Sequence, residues 1–384
     1  MRGQLAAFPR HCDISGGHNS RMDAYGRRLS KTVECPAIFG ALDVLSGHDV
    51  SLSATEPVAL PAPKPGGRWM LGAKLAVTLA VLGFLASSAD WSGVLARIAG
   101  ADPAWLAAGF LAKVLAVVCA GERWRDSLRA AGERVSHGLA LRLMFTGLFF
   151  GQVLPGALGG DVVRGWLSYR GGLSSSAVVL ALVMDRLLAL VGCVALLFVG
   201  LPHLVATAPP TIAWAGPLAA LLLLAGLVAG IQADRIPLPA FAKRPPVRAL
   251  QAQVARLRAA LLSWAALSGL LHSVVVHVCT VVAVVAYARA LALPVTVADA
   301  LAVVPMTIFA AALPLSLNGW GVREGAFVAG FALYGLGAAE ALVLSLMIGL
   351  SVTLSSLPGG LLWLGLSGRR KARFGAFGTS SRAP

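Results

Sequence analysis

Acidic side chains are scarce in this sequence. Asp and Glu number 17 in 384 residues, and all four charged types together make up 13% of the chain, about half the usual share of a soluble domain. With 57% hydrophobic residues and a mean hydropathy of +0.78, the chain has too little polar surface for a water-soluble fold and reads as an integral membrane protein. Cysteine is sparse and unpatterned. Cys12, Cys35, Cys119, Cys193 and Cys279 fall at no metal-ligand spacing and give no disulfide framework, and the last three lie in apolar stretches. A nucleophile–base constellation, a Walker loop, a dinucleotide fingerprint and a metal cluster are all missing, and Gly159-Gly160 is too little for a phosphate loop. No apolar core follows the early arginines, so a signal peptide is not expected. Neither cofactor nor metal is expected. The net charge of +15 is carried in short loops beside apolar runs, the pattern of membrane topology rather than of nucleic-acid binding.

What the chain has in abundance is long apolar runs, and two of them are broken in the same way. Leu154 to Arg164 reads Leu-Pro-Gly-Ala-Leu-Gly-Gly-Asp-Val-Val-Arg, and Leu313 to Arg323 reads Leu-Pro-Leu-Ser-Leu-Asn-Gly-Trp-Gly-Val-Arg. Aligned without gaps, six of eleven positions coincide. Proline and glycine interrupt a helix, and the freed backbone groups then need protein or water as partners. Matched breaks in two halves of a chain point to an internal duplication and to a substrate site of the transporter kind.

Six full spans are expected at 70–88, 103–121, 176–200, 211–231, 259–288 and 340–366, the last bent at Pro358-Gly359-Gly360. Residues 139–172 and 297–335 surround the two breaks and read as re-entrant hairpins, because 139–153 reaches only about 22 Å of the ~30 Å hydrocarbon core. Residues 1–69 read as a disordered cytosolic extension, or as sequence upstream of a start near Met70; 367–384 form a basic cytosolic tail. Glu122-Arg123-Trp124-Arg125 reads as a basic loop with an interfacial Trp, and 232–258 as a second basic loop. If both hairpins return to their side of origin, 18 Lys and Arg face the cytosol, and only Arg97 and Arg289 face outside. The first hairpin then opens to the cytosol and the second to the outside, as an inverted repeat requires. The fold class expected is therefore an all-α polytopic membrane protein with six transmembrane helices and two opposed hairpins.

Candidate site residues follow from the breaks. Arg164 and Arg323 are equivalent arginines just past each one, where a cation is costly and faces a cavity or a counter-ion. Their planar forks suit phosphate, and a helix restarting after a Gly-rich turn adds free N–H groups. On the functional reading both hairpins clasp an anionic headgroup; on the bland one Arg164 marks the interface and Arg323 pairs with Glu324. Asp161 and Glu324 either balance these arginines or meet a cationic headgroup. Asp185 and Arg186 are adjacent in mid-span, point about 100° apart, and are either functional or a pairing between helices. Pro155, Gly160, Pro314 and Gly319 shape the breaks, and Gln152, Ser316, Asn318 and Trp320 line them. His272 and His277 read as helix-packing residues, and Asp299 and Glu340 as solvated helix ends.

Taken together, Glu122-Arg123-Trp124-Arg125, Gly151-Gln152-Val153-Leu154-Pro155 before Gly159-Gly160-Asp161-Val162-Val163-Arg164, Asp185-Arg186-Leu187, and Leu313-Pro314-Leu315-Ser316 before Gly319-Trp320-Gly321-Val322-Arg323-Glu324-Gly325 resemble the lysylphosphatidylglycerol synthase transmembrane (flippase-like) family over roughly residues 70–366. The resemblance implies a multi-pass protein of a bacterial inner membrane that moves an aminoacylated phospholipid between leaflets. In larger members a soluble domain attaches the amino acid. Here the chain ends about 18 residues after the last span, so lysyl transfer by this polypeptide is not expected. The expected partners are a phospholipid or lipid-linked substrate, the membrane and a separate lipid-modifying enzyme, and not nucleic acid. The expected function is translocation of a lipid headgroup by rocking of two halves, without nucleotide hydrolysis. The alternatives are a membrane lipid or sugar transferase at Asp161 and Arg164, and an accessory subunit of a lipid-modifying enzyme.

Overall fold

The computed structural model describes residues 91–154, 159–235, 245–312 and 319–368, with scattered helical positions between 72 and 87. The extension through residue 69, most of the first expected span, the tail from residue 369, and Pro155, Pro314, Ser316 and Asn318 lie outside the described residues. Within them the structure is helical without strands: α1 (Trp91–Ala99), α2 (Pro103–Ala130), α3 (His137–Val153), α4 (Gly159–Arg170), α5 (Ser175–Thr207), α6 (Pro210–Ile231), α7 (Pro245–Leu261), α8 (Trp264–Ala290), α9 (Val297–Ala312), α10 (Val322–Ala332) and α11 (Ala338–Gly368). Five of these, α2, α5, α6, α8 and α11, are long and apolar enough to cross a membrane.

Local chemistry starts the helices where the sequence provides caps. Asp102 accepts from the Ala104 N–H at 2.8 Å with Pro103 at the first helical position, and Ser136, Ser174 and Ser263 cap α3, α5 and α8 through their hydroxyls. The Glu122–Arg125 stretch differs from the loop expected: α2 runs on through it, and Trp124 is fully buried. Partners distant in sequence hold it there. The basic loop at 232–258 likewise contains α7, whose Leu257, Ala260 and Leu261 pack on Met184, Leu188 and Ala266.

The most extensive pairing is α2 along α8. The Asp102 N–H donates to the Ala290 carbonyl, so the start of α2 meets the end of α8. On α8, Leu271, Val275, Val278 and Val282 form an exposed apolar stripe, while Ser273, His277, Thr280 and Val284 are buried. That division of faces is what a lipid-facing helix shows, and α6, with Leu218, Leu221, Leu222 and Leu223 all exposed, is peripheral.

Both breaks lie between short paired helices. At the first, His137 at the start of α3 bonds Glu122, and the Ser174 N–H just past α4 donates to Glu133, so both ends of the pair sit by the C-terminal end of α2. At the second, Asp299 at the start of α9 bonds His203, while Tyr334 just past α10 stacks on the His203 ring and meets Thr207. Both ends of that pair sit by the C-terminal end of α5. Asp299, expected to be solvated, is buried because it accepts from His203 and from the Thr296 N–H. Glu340 pairs with Arg97. Helix α11 touches both pairs: Gly359 lies against the Phe145 carbonyl of α3, and Gly349 lies against Arg323 and Trp320 beside α10.

Candidate functional site

Where α4 restarts after the first break, Gly160 and Gly147 cross so closely that a Cβ at Gly160 would meet the Gly147 carbonyl. This close approach delivers Arg164 to the centre of the helices, where it is 2% exposed. Its Nη2 donates to Asp161 Oδ1 at 2.9 Å and to Asp185 Oδ2 at 3.0 Å, and its guanidinium stacks over Trp124 at 4.2 Å. Asp185 also accepts from Arg123 Nε at 2.8 Å, and Arg123 Nη1 reaches Ser273 Oγ at 3.4 Å. Arg186 donates to Asp161 Oδ2 through Nε at 2.6 Å and through Nη2. Asp185 and Arg186 thus face different residues, as their angular separation requires, yet both join one network spanning α2, α4 and α5.

Three arginines meet two aspartates there, leaving one positive charge in excess. The next carboxylate, Asp126, pairs with His272 at 3.1 Å. Among the described residues, the buried Arg164 Nε, Trp124 Nε1 and Thr146 Oγ have no hydrogen-bond partner. This centre is therefore rich in donors and in positive charge.

The second break ends differently. Gly319 and Gly321 sit at φ of 81° and 87°, a left-handed backbone that side chains resist, and this turn reverses the chain into α10. Glu324 Oε2 accepts from the Gly321 N–H at 2.6 Å, capping the new helix from its third position. Its other oxygen takes Arg323, through Nε at 2.9 Å and through Nη2, and also Ser345 Oγ at 3.2 Å. Arg323 stacks over Trp320 at 4.5 Å in space that the missing side chain of Gly349 leaves open. Glu324 is wholly buried and committed to these bonds, as a cap and counter-ion.

Of the expected site residues, Gly160, Asp161, Arg164, Asp185 and Arg186 assemble at one centre, and Gly319, Trp320, Arg323 and Glu324 at another. Gln152 is half-buried near the end of α3. Among the described residues Arg164 and Arg323 share no partner, so where the sequence suggests a single pocket the described residues form two centres. His277 Nε2 donates to the Ala189 carbonyl at 2.9 Å, a packing contact between α8 and α5, as expected. The sequence reading missed Arg123, whose burial depends on Asp185 62 residues away, and Lys113, 8% exposed on α2. A single cation ten residues into an apolar span was the available signal for the lysine.

The comparisons with known proteins agree with these features. Over 93 residues the chain is 30% identical to a UPF0104 membrane protein of Methanothermobacter thermautotrophicus, covering 24% of this chain and 26% of that protein. The family profile described as lysylphosphatidylglycerol synthase TM region matches residues 72–359, a stretch that takes in both breaks and both charged centres. This chain, with its two broken helix pairs and the arginine that follows each break, belongs to that family.

Proposed function

We propose that this protein carries an anionic lipid headgroup across the membrane, using the two charged centres as stations reached from opposite sides. The observation that carries this reading is the placement of Arg164 and Arg323. Each lies just past a helix break, Arg164 buried and Arg323 partly buried, in a pair of short helices whose two ends meet the same end of the bundle, and the two pairs meet opposite ends. On this reading the pairs are re-entrant hairpins of an inverted repeat, with the basic end of α2 cytosolic.

A phosphate headgroup cannot enter some 30 Å of hydrocarbon without partners. The excess arginine charge and the unsatisfied donors at the first centre suit an acceptor-rich anion, and guanidinium forks suit phosphate. Between the centres, α11 offers the buried hydroxyls of Ser345, Ser351, Ser355 and Ser356, over a length of about 21 Å from Ser345 to Gly359. Motion follows from the ion pairs: a headgroup that takes Arg164 from Asp185 loosens α4 from α5, leaving the Asp161–Arg186 pair as the remaining link between them. Carriage of an aminoacyl-phosphatidylglycerol would add a cation for Asp161, which is 16% exposed at its side chain. The bacterial inner membrane, cytosolic termini and a separate lipid-modifying enzyme as partner belong to the same proposal.

Liposome reconstitution tests it. Purified protein is expected to move labelled phosphatidylglycerol between leaflets without any donor substrate, and Arg164→Gln and Arg323→Gln are each expected to slow that movement by at least about tenfold, the loss of one charge-assisted contact. Both variants moving lipid at the wild-type rate would end the headgroup-carrying reading, and turnover of a sugar or acyl donor would replace it with a transferase.

A further inference from the structure

Lys113 stands in the middle of α2, ten residues past Pro103 and ten before Arg123. At 1.5 Å per residue it is about 15 Å from the helix start, the depth of a bilayer midplane. It is 8% exposed. Its Nζ donates to Thr280 Oγ at 3.1 Å, and that hydroxyl in turn donates to the Val276 carbonyl. Thr280 lies ten residues before Ala290, the residue whose carbonyl takes the Asp102 N–H, so the pair is at matched depth on α2 and α8. The side chain therefore runs across to a neighbouring helix rather than up to an interface.

Among the described residues Lys113 has no carboxylate partner. With Glu324 taken up by Arg323, no carboxylate among the described residues balances Lys113. A buried ammonium with one hydroxyl for company is costly, and intramembrane cations kept at that cost face substrates or counter-ions that come and go.

We propose that Lys113, held by Thr280, forms an anion site at the bilayer midplane, whose ligand is a phosphate monoanion. The site rests on the headgroup-carrying reading for its place on a path: Arg123, which shares Asp185 with Arg164, lies about 15 Å away along α2, one step toward the other side. Thr280 holds the ammonium in place when the site is empty, and the ligand supplies the missing negative charge.

The full chain in a neutral maltoside detergent is titrated with dihexanoyl-phosphatidylglycerol, dihexanoyl-phosphatidylcholine or inorganic phosphate, and thermal unfolding is followed. Dihexanoyl-phosphatidylglycerol is expected to raise the melting temperature of the wild type and of Lys113→Arg. For Lys113→Met half-saturation is expected to weaken by at least about tenfold, while its melting temperature without ligand equals or exceeds that of the wild type, because an uncompensated charge has gone. Inorganic phosphate protecting as well as the lipid supports the site and assigns it to the free ion. Equal half-saturation for Lys113→Met, equal protection by the phosphatidylcholine, or a lower unliganded melting temperature that marks the lysine as a structural brace would each overturn the proposal. Leaflet transfer that fails while lysine-dependent binding persists would sink the transport reading alone.

Discussion

Asp185→Asn is expected to destabilise this protein more than removal of any other single charge. The substitution keeps the shape of the side chain and removes the negative charge that Arg123 and Arg164 share. Arg164 retains Asp161, but Arg123 is left with Ser273 at 3.4 Å and no carboxylate. Breaking one side of a buried ion pair costs about 3–5 kcal/mol, which in a chain of this size lowers the melting temperature by on the order of 10 °C. The loss also unlinks α2, α4 and α5, so the purified variant is expected to lose monodispersity in detergent. Arg186→Ala provides the contrast. That side chain is 57% exposed, and its pairing with Asp161 contributes at most about 1 kcal/mol. Adding Arg123→Gln to Asp185→Asn should recover part of the stability, because removing both partners leaves fewer uncompensated charges. A double variant no more stable than Asp185→Asn alone would mean that the ion pair is not the source of the loss.

The second large effect comes from glycines that hold helices together by having no side chain. A Cβ at Gly160 would meet the Gly147 carbonyl, and one at Gly359 would meet the Phe145 carbonyl, with Thr146 N at 3.0 Å. These are backbone atoms of packed helices, which cannot swing aside as a side-chain tip can. Gly160→Val and Gly359→Val are each expected to cost at least about 2–3 kcal/mol, and the first also displaces Arg164, whose Cβ lies 3.1 Å from the position of a Cβ on Gly147. The sign reverses at Gly138, in the first turn of α3, where a Cβ would meet nothing within 4 Å. Gly138→Ala is expected to stabilise by about 0.5–1 kcal/mol through its better helix propensity. Thermal unfolding of the three variants in one detergent checks both signs.

Helices set by long apolar runs and a local cap were legible in the sequence. The expected spans at 211–231 and 340–366 correspond to α6 and α11, and the breaks after Val153 and Ala312 fall where proline and glycine predicted them. Elements decided by distant partners were not legible. Glu122 to Arg125 is polar by composition and reads as a loop, but Asp185, Ser273 and Arg164 bury Arg123 and Trp124 inside a continuous helix. Asp299 reads as a solvated helix end until His203, 96 residues earlier, is placed beside it. The amphipathic spacing of Val247, Leu250, Val254, Leu257 and Leu261 was present in the 232–258 region and its continuation, hidden by the basic residues between them. The arginines of the two breaks were readable as a pair. Their separation into two centres was not, because it depends on which helix carries each counter-ion.

The opposed openings of the two broken helix pairs are most directly tested by labelling from each side of the membrane. In a background with the five native cysteines replaced, Arg134→Cys and Arg170→Cys report on the first pair, and Val297→Cys and Ala332→Cys on the second; all four positions are exposed. A membrane-impermeant maleimide applied to sealed inside-out or right-side-out vesicles is expected to label the first two variants from one side only and the last two from the opposite side only. Labelling of all four from the same side would contradict the account.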